Sequence, residues 1–161
     1  MGSGLKIDAV YNNNINNVRT LLNQGVYVNC HNHLGQSPLH AAAFVGNLEI
    51  VKLLIDNGAN IREMSGGHHT PLQLSAGQCH LDVVKFLLDH GAPIDALDFS
   101  RNWTALNYAI WGGCKEVVLY FLEKGADTGN AAQYNGKYYK LYQFALAEKQ
   151  FEIAETLKPY R

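Results

Sequence analysis

The sequence holds no apolar run approaching the roughly 18 residues that cross a bilayer as a helix, and its start, MGSGLK, has no signal-peptide core. Those absences lead to the expectation of a soluble, intracellular and cytoplasmic protein. A charge excess is missing too. Thirteen Lys and Arg stand against 14 Asp and Glu, for a net charge of −1 and a pI near 6.6. No basic field is available to hold nucleic acid or anionic lipid, so neither is an expected partner. Cysteine is scarce: Cys30, Cys79 and Cys114 are odd in number and form no CxxC pair. That pattern speaks against a disulfide framework and for a reducing compartment. No nucleophile constellation, paired-carboxylate site or phosphate-cradling glycine loop can be placed. Gly66 and Gly67 fall between two helical patterns rather than after a strand, which marks a turn and not a dinucleotide loop. Neither catalysis nor a cofactor is expected.

What the chain does contain is a repeat. At 161 residues and 47% hydrophobic it can bury one sizeable core. Gly35 to Gly58, GQSPLHAAAFVGNLEIVKLLIDNG, returns as HHTPLQLSAGQCHLDVVKFLLDHG from His68 and as NWTALNYAIWGGCKEVVLYFLEKG from Asn102. Pro38 and Pro71 lie 33 residues apart, Ala105 follows Pro71 by 34, and Gly25, Gly58, Gly91 and Gly125 mark unit ends at steps of 33, 33 and 34. A period in this range signals a stacked array.

Each unit reads as two helices. Ser37, Thr70 and Thr104 precede apolar-rich runs, where a hydroxyl can accept from the free N–H groups of a first turn. Pro38 and Pro71 follow at the first helical position, where a missing N–H costs nothing. A short Ala-rich helix ends near Gly46 or Gly113. A second starts at Leu48, with Val51, Leu54 and Ile55 on one face, and stops at Gly58.

SPLHAAA, GNLEIVKLLIDNGANI, TPLQLSA, HLDVVKFLLDHGAPID and EVVLYFLEKGAD resemble the ankyrin repeat, over about residues 5 to 161. The resemblance implies an all-α solenoid of helix-turn-helix units with projecting hairpin fingers. Its expected divisions are an N-terminal cap at 5–34, full repeats at 35–67, 68–101 and 102–134, and a C-terminal cap at 135–161. The connectors Val26–Gln36, Ala59–His69 and Ala92–Trp103 are the fingers, and the third, one residue longer, should be the most irregular. Asp127–Lys137 reads as polar and turn-rich, with two helical runs after it.

The resemblance also assigns roles. His40 should bridge neighbouring repeats by hydrogen bonds, with Gln73 and Asn107 in its place later and still able to donate; His80 matches the histidine of the family's GHLEVV segment. Asn29 is the nearest match to an asparagine that is hydroxylated in some repeats, although Tyr27 replaces the acidic residue before it. Cys30, His31, His33, His68 and His69 carry metal-ligating atoms on adjacent fingers. CHNH is not a zinc spacing, however, and no metal is expected.

Partner contacts in this family come from finger tips and the outward face of each first helix. Carried over residue by residue, those positions are His33, Leu34, Gln36, Phe44, Val45, His69, Gln78, Arg101, Trp103 and Trp111. Trp and Arg are the types most enriched at energetic hot spots, and apolar surface not demanded by a core marks an interaction site. The small residues Gly66, Gly67 and Gly77 should leave a notch at the middle repeat. The expected function is therefore a monomeric, non-enzymatic module that binds a protein or peptide through the concave face and fingers. The alternative is the targeting domain of a larger multidomain protein, such as a bacterial effector or a ubiquitin-ligase adaptor.

Overall fold

Local chemistry defines each unit before packing does. Thr70 Oγ1 accepts from Gln73 N while Gln73 Oε1 accepts from Thr70 N, and Thr104 and Asn107 repeat the exchange. Two orphan donors at a helix start are satisfied each time. Pro38 and Pro71 occupy the first turn, where no N–H is needed.

The computed structural model describes residues 7–160; residues 5–6 of the expected first unit, and Arg161, lie outside the described residues. Five helix pairs follow one another: α1 (Ile7–Tyr11) with α2 (Ile15–Asn23), α3 (Pro38–Val45) with α4 (Leu48–Asp56), α5 (Pro71–Gly77) with α6 (Leu81–Asp89), α7 (Ala105–Trp111) with α8 (Lys115–Glu123), and α9 (Leu141–Ala147) with α10 (Phe151–Leu157). Odd-numbered helices pack on one another in sequence, and so do the even-numbered ones. The product is an all-α repeat solenoid with an inner and an outer row of helices.

The apolar periodicity explains both rows. Leu39, Leu72 and Leu106, at the same place in successive inner helices, are all buried, and the buried Ala41, Ala42 and Ala43 let α3 lie close to its neighbours. The outer helices repeat an i, i+1, i+4 pattern of buried residues: Ile50, Val51 and Leu54, then Val83, Val84 and Leu87, then Val117, Val118 and Phe121, then Ile153, Ala154 and Leu157. Such spacing directs one stripe of each helix at the array.

The turns between inner and outer helices carry a second repeat. Each has one residue at positive φ: Asn13, Gly46, Cys79, Gly113 and Lys149. In the first four pairs that residue faces the residue capping the outer helix of the next unit. Asn47 Nδ2 donates to Asn13 Oδ1. A β-carbon on Gly46 would fall 2.3 Å from the His80 ring, and one on Gly113 would fall 2.9 Å from the Gln150 amide, so the missing side chain leaves room for the capping residue at both. Between these two interfaces the same contact is covalent, a disulfide joining Cys79 to Cys114. The expectation of no disulfide is thus overturned. These cysteines are 35 residues apart in sequence, one unit and a step, and no short-range cysteine motif could reveal them. A reducing compartment no longer follows from the cysteine content.

The longer third finger is built around Asp98, which is fully buried. Asp98 Oδ1 accepts from the backbone N–H of Ser100 at 3.1 Å and of Arg101 at 2.6 Å, and Oδ2 accepts from the Tyr108 hydroxyl at 2.5 Å. Overlapping the end of the stretch read as polar and turn-rich is an antiparallel hairpin of β1 (Ala132–Tyr134) and β2 (Lys137–Tyr139), paired Ala132 to Tyr139 and Tyr134 to Lys137. Asn135 and Gly136 form its turn, both at positive φ, as a tight two-residue hairpin requires.

Candidate functional site

Contacts between the start of α3 and the following finger are set by His40. Its Nδ1 accepts from the Ser37 N–H at 3.2 Å and lies 2.7 Å from the Ser37 hydroxyl, while Nε2 lies 3.1 Å from the Glu63 carbonyl and 3.0 Å from the His69 carbonyl. Two carbonyls at Nε2 fix the proton there and leave Nδ1 as the acceptor. Burial holds this imidazole below its ordinary pKa, against the opposing pull of those carbonyls and the Glu63 charge. Gln73 does the same work one unit on, donating to the Ala96 carbonyl at 2.8 Å and the Trp103 carbonyl at 3.1 Å. Asn107 does not. Its Oδ1 accepts from Thr104, but its buried Nδ2 has no hydrogen-bond partner, because the side chain is one methylene shorter than that of Gln73. The expectation that Asn107 donates across the interface is corrected accordingly.

These latches hold the fingers over the inner helices and leave three cavities along the concave face. The first, of about 560 Å³, lies between His33, Leu34, Gln36 and His69, with Gly66 and Gly67 at its wall. The second, of about 220 Å³, lies between Phe44 and Trp111, with Leu74, Gly77 and Tyr108 below and His69, Gln78 and Arg101 at its rim. The third, of about 320 Å³, lies between Arg101, Trp111 and the β1–β2 hairpin at Tyr134 and Asn135. His69 borders the first and second, and Arg101 and Trp111 both border the second and third. The cavities therefore form one groove with shared walls.

Gly77 is central to the middle cavity. A β-carbon there would only meet Tyr108, at 3.7 Å, so a side chain would fit but would fill the notch. Phe44 and Trp111 stand 44% and 45% exposed on either side of it. Tyr108 forms the floor, held by its bond to Asp98 and by an edge-on contact with His69 at 5.5 Å. Burial and that bond push the Tyr108 hydroxyl pKa up, so it stays protonated and donating. Burial likewise lowers the His69 pKa, partly offset by the Asp98 charge.

The ten residues singled out in the sequence do not all share this surface. Trp103 is wholly buried: its indole N–H donates to the Gln133 carbonyl at 2.8 Å, and its ring packs on Phe144 and Tyr108 at centroid distances of 5.0 and 5.2 Å. It holds the last finger and α9 against α7, and its assignment as a contact residue is withdrawn. Val45 is half-buried and lines none of the three cavities. Gln36 is engaged by Tyr11, whose hydroxyl donates to Oε1 at 2.9 Å. His33, Leu34, Gln36, Phe44, His69, Gln78, Arg101 and Trp111 line the groove. Phe99, 75% exposed at the tip of the third finger beside His68, was not anticipated. Its only sequence signal was the extra residue in that finger.

The histidine and cysteine residues of the fingers have separate occupations. His31 Nε2 lies 2.8 Å from Glu63 Oε1, His68 meets Phe99 and His69 meets Tyr108. Among the described residues no three His, Cys, Asp or Glu side chains gather where they could share a metal ion. Asn29 donates to the Gly58 carbonyl at 3.0 Å and accepts from Asn60 N at 2.8 Å, tying the first unit to the second. Asp95 accepts from Asp127 N in the same way. At the interface between, Arg62 takes the acceptor's place, and the residue opposite is Pro93, which has no N–H to offer. No helix of the described residues is long and apolar enough to cross a membrane.

A search of curated proteins gives no match to this chain. A family model described as ankyrin repeats, three copies, matches residues 7–98 and 63–132, well over half of the chain. With the inner and outer helix rows, the hydroxyl-capped inner helices and the His40 latch, that match is decisive: the chain belongs to the ankyrin repeat family.

Proposed function

We propose that the protein is a non-catalytic recognition module that binds a segment of another protein along its concave groove, as an array of full repeats bounded by a cap at each end. Ankyrin repeats are generally protein–protein interaction modules, and the family is typically non-catalytic. The observation that carries the reading here is the pair Phe44 and Trp111, half-exposed across the Gly77 notch. Neither ring is demanded by the core, and apolar surface of this kind marks an interface. His33, Leu34, His69, Gln78 and Arg101 line the remainder of the same groove. Burial of the two rings would supply an aromatic anchor ringed by polar groups, the arrangement typical of hot spots.

Affinity capture with quantitative mass spectrometry tests the reading. A Phe44→Ala/Trp111→Ala variant that melts as a folded protein should lose the partner that the unaltered chain retains. A partner list unchanged by both substitutions would place recognition elsewhere. The alternative of a targeting domain within a larger protein uses the same groove and is separated from this one by the full-length gene.

A further inference from the structure

The groove is uneven in charge. None of the side chains lining its three cavities is a carboxylate, while Arg101 and the histidines His33 and His69 all stand on it. The carboxylates lie mostly on the outer helices, as Glu49, Asp56, Asp82, Asp89, Glu116 and Glu123 illustrate. Arg101 is thus the one permanent cation among the lining side chains, and no lining side chain opposes it with a carboxylate. Asp98, the carboxylate nearest Arg101 in sequence, is buried and engaged by Ser100 N, Arg101 N and the Tyr108 hydroxyl.

Arg101 is placed to be used. Its guanidinium lies over the Trp103 ring, 4.9 Å from the centroid, and among the described residues it makes no ion pair. Stacking on a buried ring holds the fork in position while leaving its N–H edges for a ligand. Arg101 and Trp111 together form the wall between the 220 Å³ and 320 Å³ cavities. A ligand that fills both cavities must pass this wall, presenting a group to a planar cation at its midpoint.

Resting on the reading of the groove as a protein-binding site, we propose that its occupant is an extended acidic-hydrophobic peptide segment. A carboxylate of the segment pairs with Arg101, and bulky apolar side chains on either side enter the Phe44–Trp111 notch and the cavity against the β1–β2 hairpin. Guanidinium and carboxylate match as planar two-point partners, and partial withdrawal from water at the cavity wall strengthens the pair.

A displayed library of random 12-residue peptides, selected on the full chain, tests this directly. Enriched sequences should carry Asp or Glu flanked by aromatic or leucine side chains. Synthetic copies should bind about tenfold more weakly to Arg101→Gln, the size expected for loss of one well-placed ion pair. Added salt should weaken binding to the unaltered chain and affect Arg101→Gln less. Thermal melts of Arg101→Gln establish that it is folded, and Arg101→Lys serves as a second variant that keeps the charge but loses the fork. Enriched peptides that lack acidic residues and bind Arg101→Gln as well as the unaltered chain, yet fail on Phe44→Ala/Trp111→Ala, would overturn the inference and leave the groove as the binding site. Peptides indifferent to all of these substitutions would overturn the groove itself. A selection that enriches no peptide would overturn the linear-segment inference.

Discussion

Two tryptophans show how much a residue's role depends on where its backbone places it. Trp103 and Trp111 both occupy positions that this repeat leaves variable, yet one is fully buried and the other 45% exposed. The distinction was not legible in the sequence, because it depends on the β1–β2 hairpin, whose Gln133 carbonyl receives the Trp103 indole N–H. Trp103→Ala should therefore cost about 3 to 5 kcal/mol, as for other large buried rings, and Trp111→Ala no more than about 1 kcal/mol. Denaturant melts of both variants check this, and equal losses would contradict the assignment. The bridging role of His40 was legible through the resemblance of SPLH to the repeat's motif, and the structure gives it bonds to Ser37 and to the next finger. Its latch carries a pH dependence. Folding depresses the His40 and His69 pKa values, so their contribution is complete above the unfolded value of about 6.5 and is lost as pH falls through the folded values. The melting temperature should drop on acidification below that point. His40→Gln, which copies Gln73, should make the drop shallower; an unchanged slope would exclude His40 as a contributor. Asn107→Gln should raise stability, by about 1 kcal/mol if the longer amide reaches a carbonyl as Gln73 does, and a lowered melting temperature would show that the site has no room for it.

At the scale of elements, the helices were readable because each is announced twice, by its cap and by its apolar spacing. Thr70, Pro71 and Gln73 open α5, and Val83, Val84 and Leu87 set the buried stripe of α6. The hairpin announced itself only through Asn135–Gly136, a turn signal in a stretch too polar to read as strand. The disulfide left no sequence signal of its own. Its logic appears only when units are stacked, where Cys79 takes the left-handed position held by Gly46 and Gly113 and meets the capping residue of the next outer helix. A cross-link spanning 35 residues should contribute about 3 to 4 kcal/mol through the unfolded chain. A dithiol reductant should lower the unfolding free energy of the native chain by that amount and leave a Cys79→Ser/Cys114→Ser variant unmoved. No change in the native chain would show that the bond does not staple the two repeats.

For the whole molecule, nearest-neighbour stacking builds a continuous core on the shared faces and frees a long inner surface, so stability and recognition draw on separate residues. The solenoid and its concave side were legible in the 33-residue period. The groove's shape was not, because its walls combine side chains from different units, as Phe44 and Trp111 do across Gly77. Recognition through that pair can be observed without altering the protein. Trp103 is already shielded, so acrylamide quenching of the native fluorescence reports on Trp111. Titration with a bound partner segment that itself lacks tryptophan should abolish most of the quenching and shift the emission to the blue. A quenching slope that stays the same at saturating partner would contradict recognition through the Phe44–Trp111 notch.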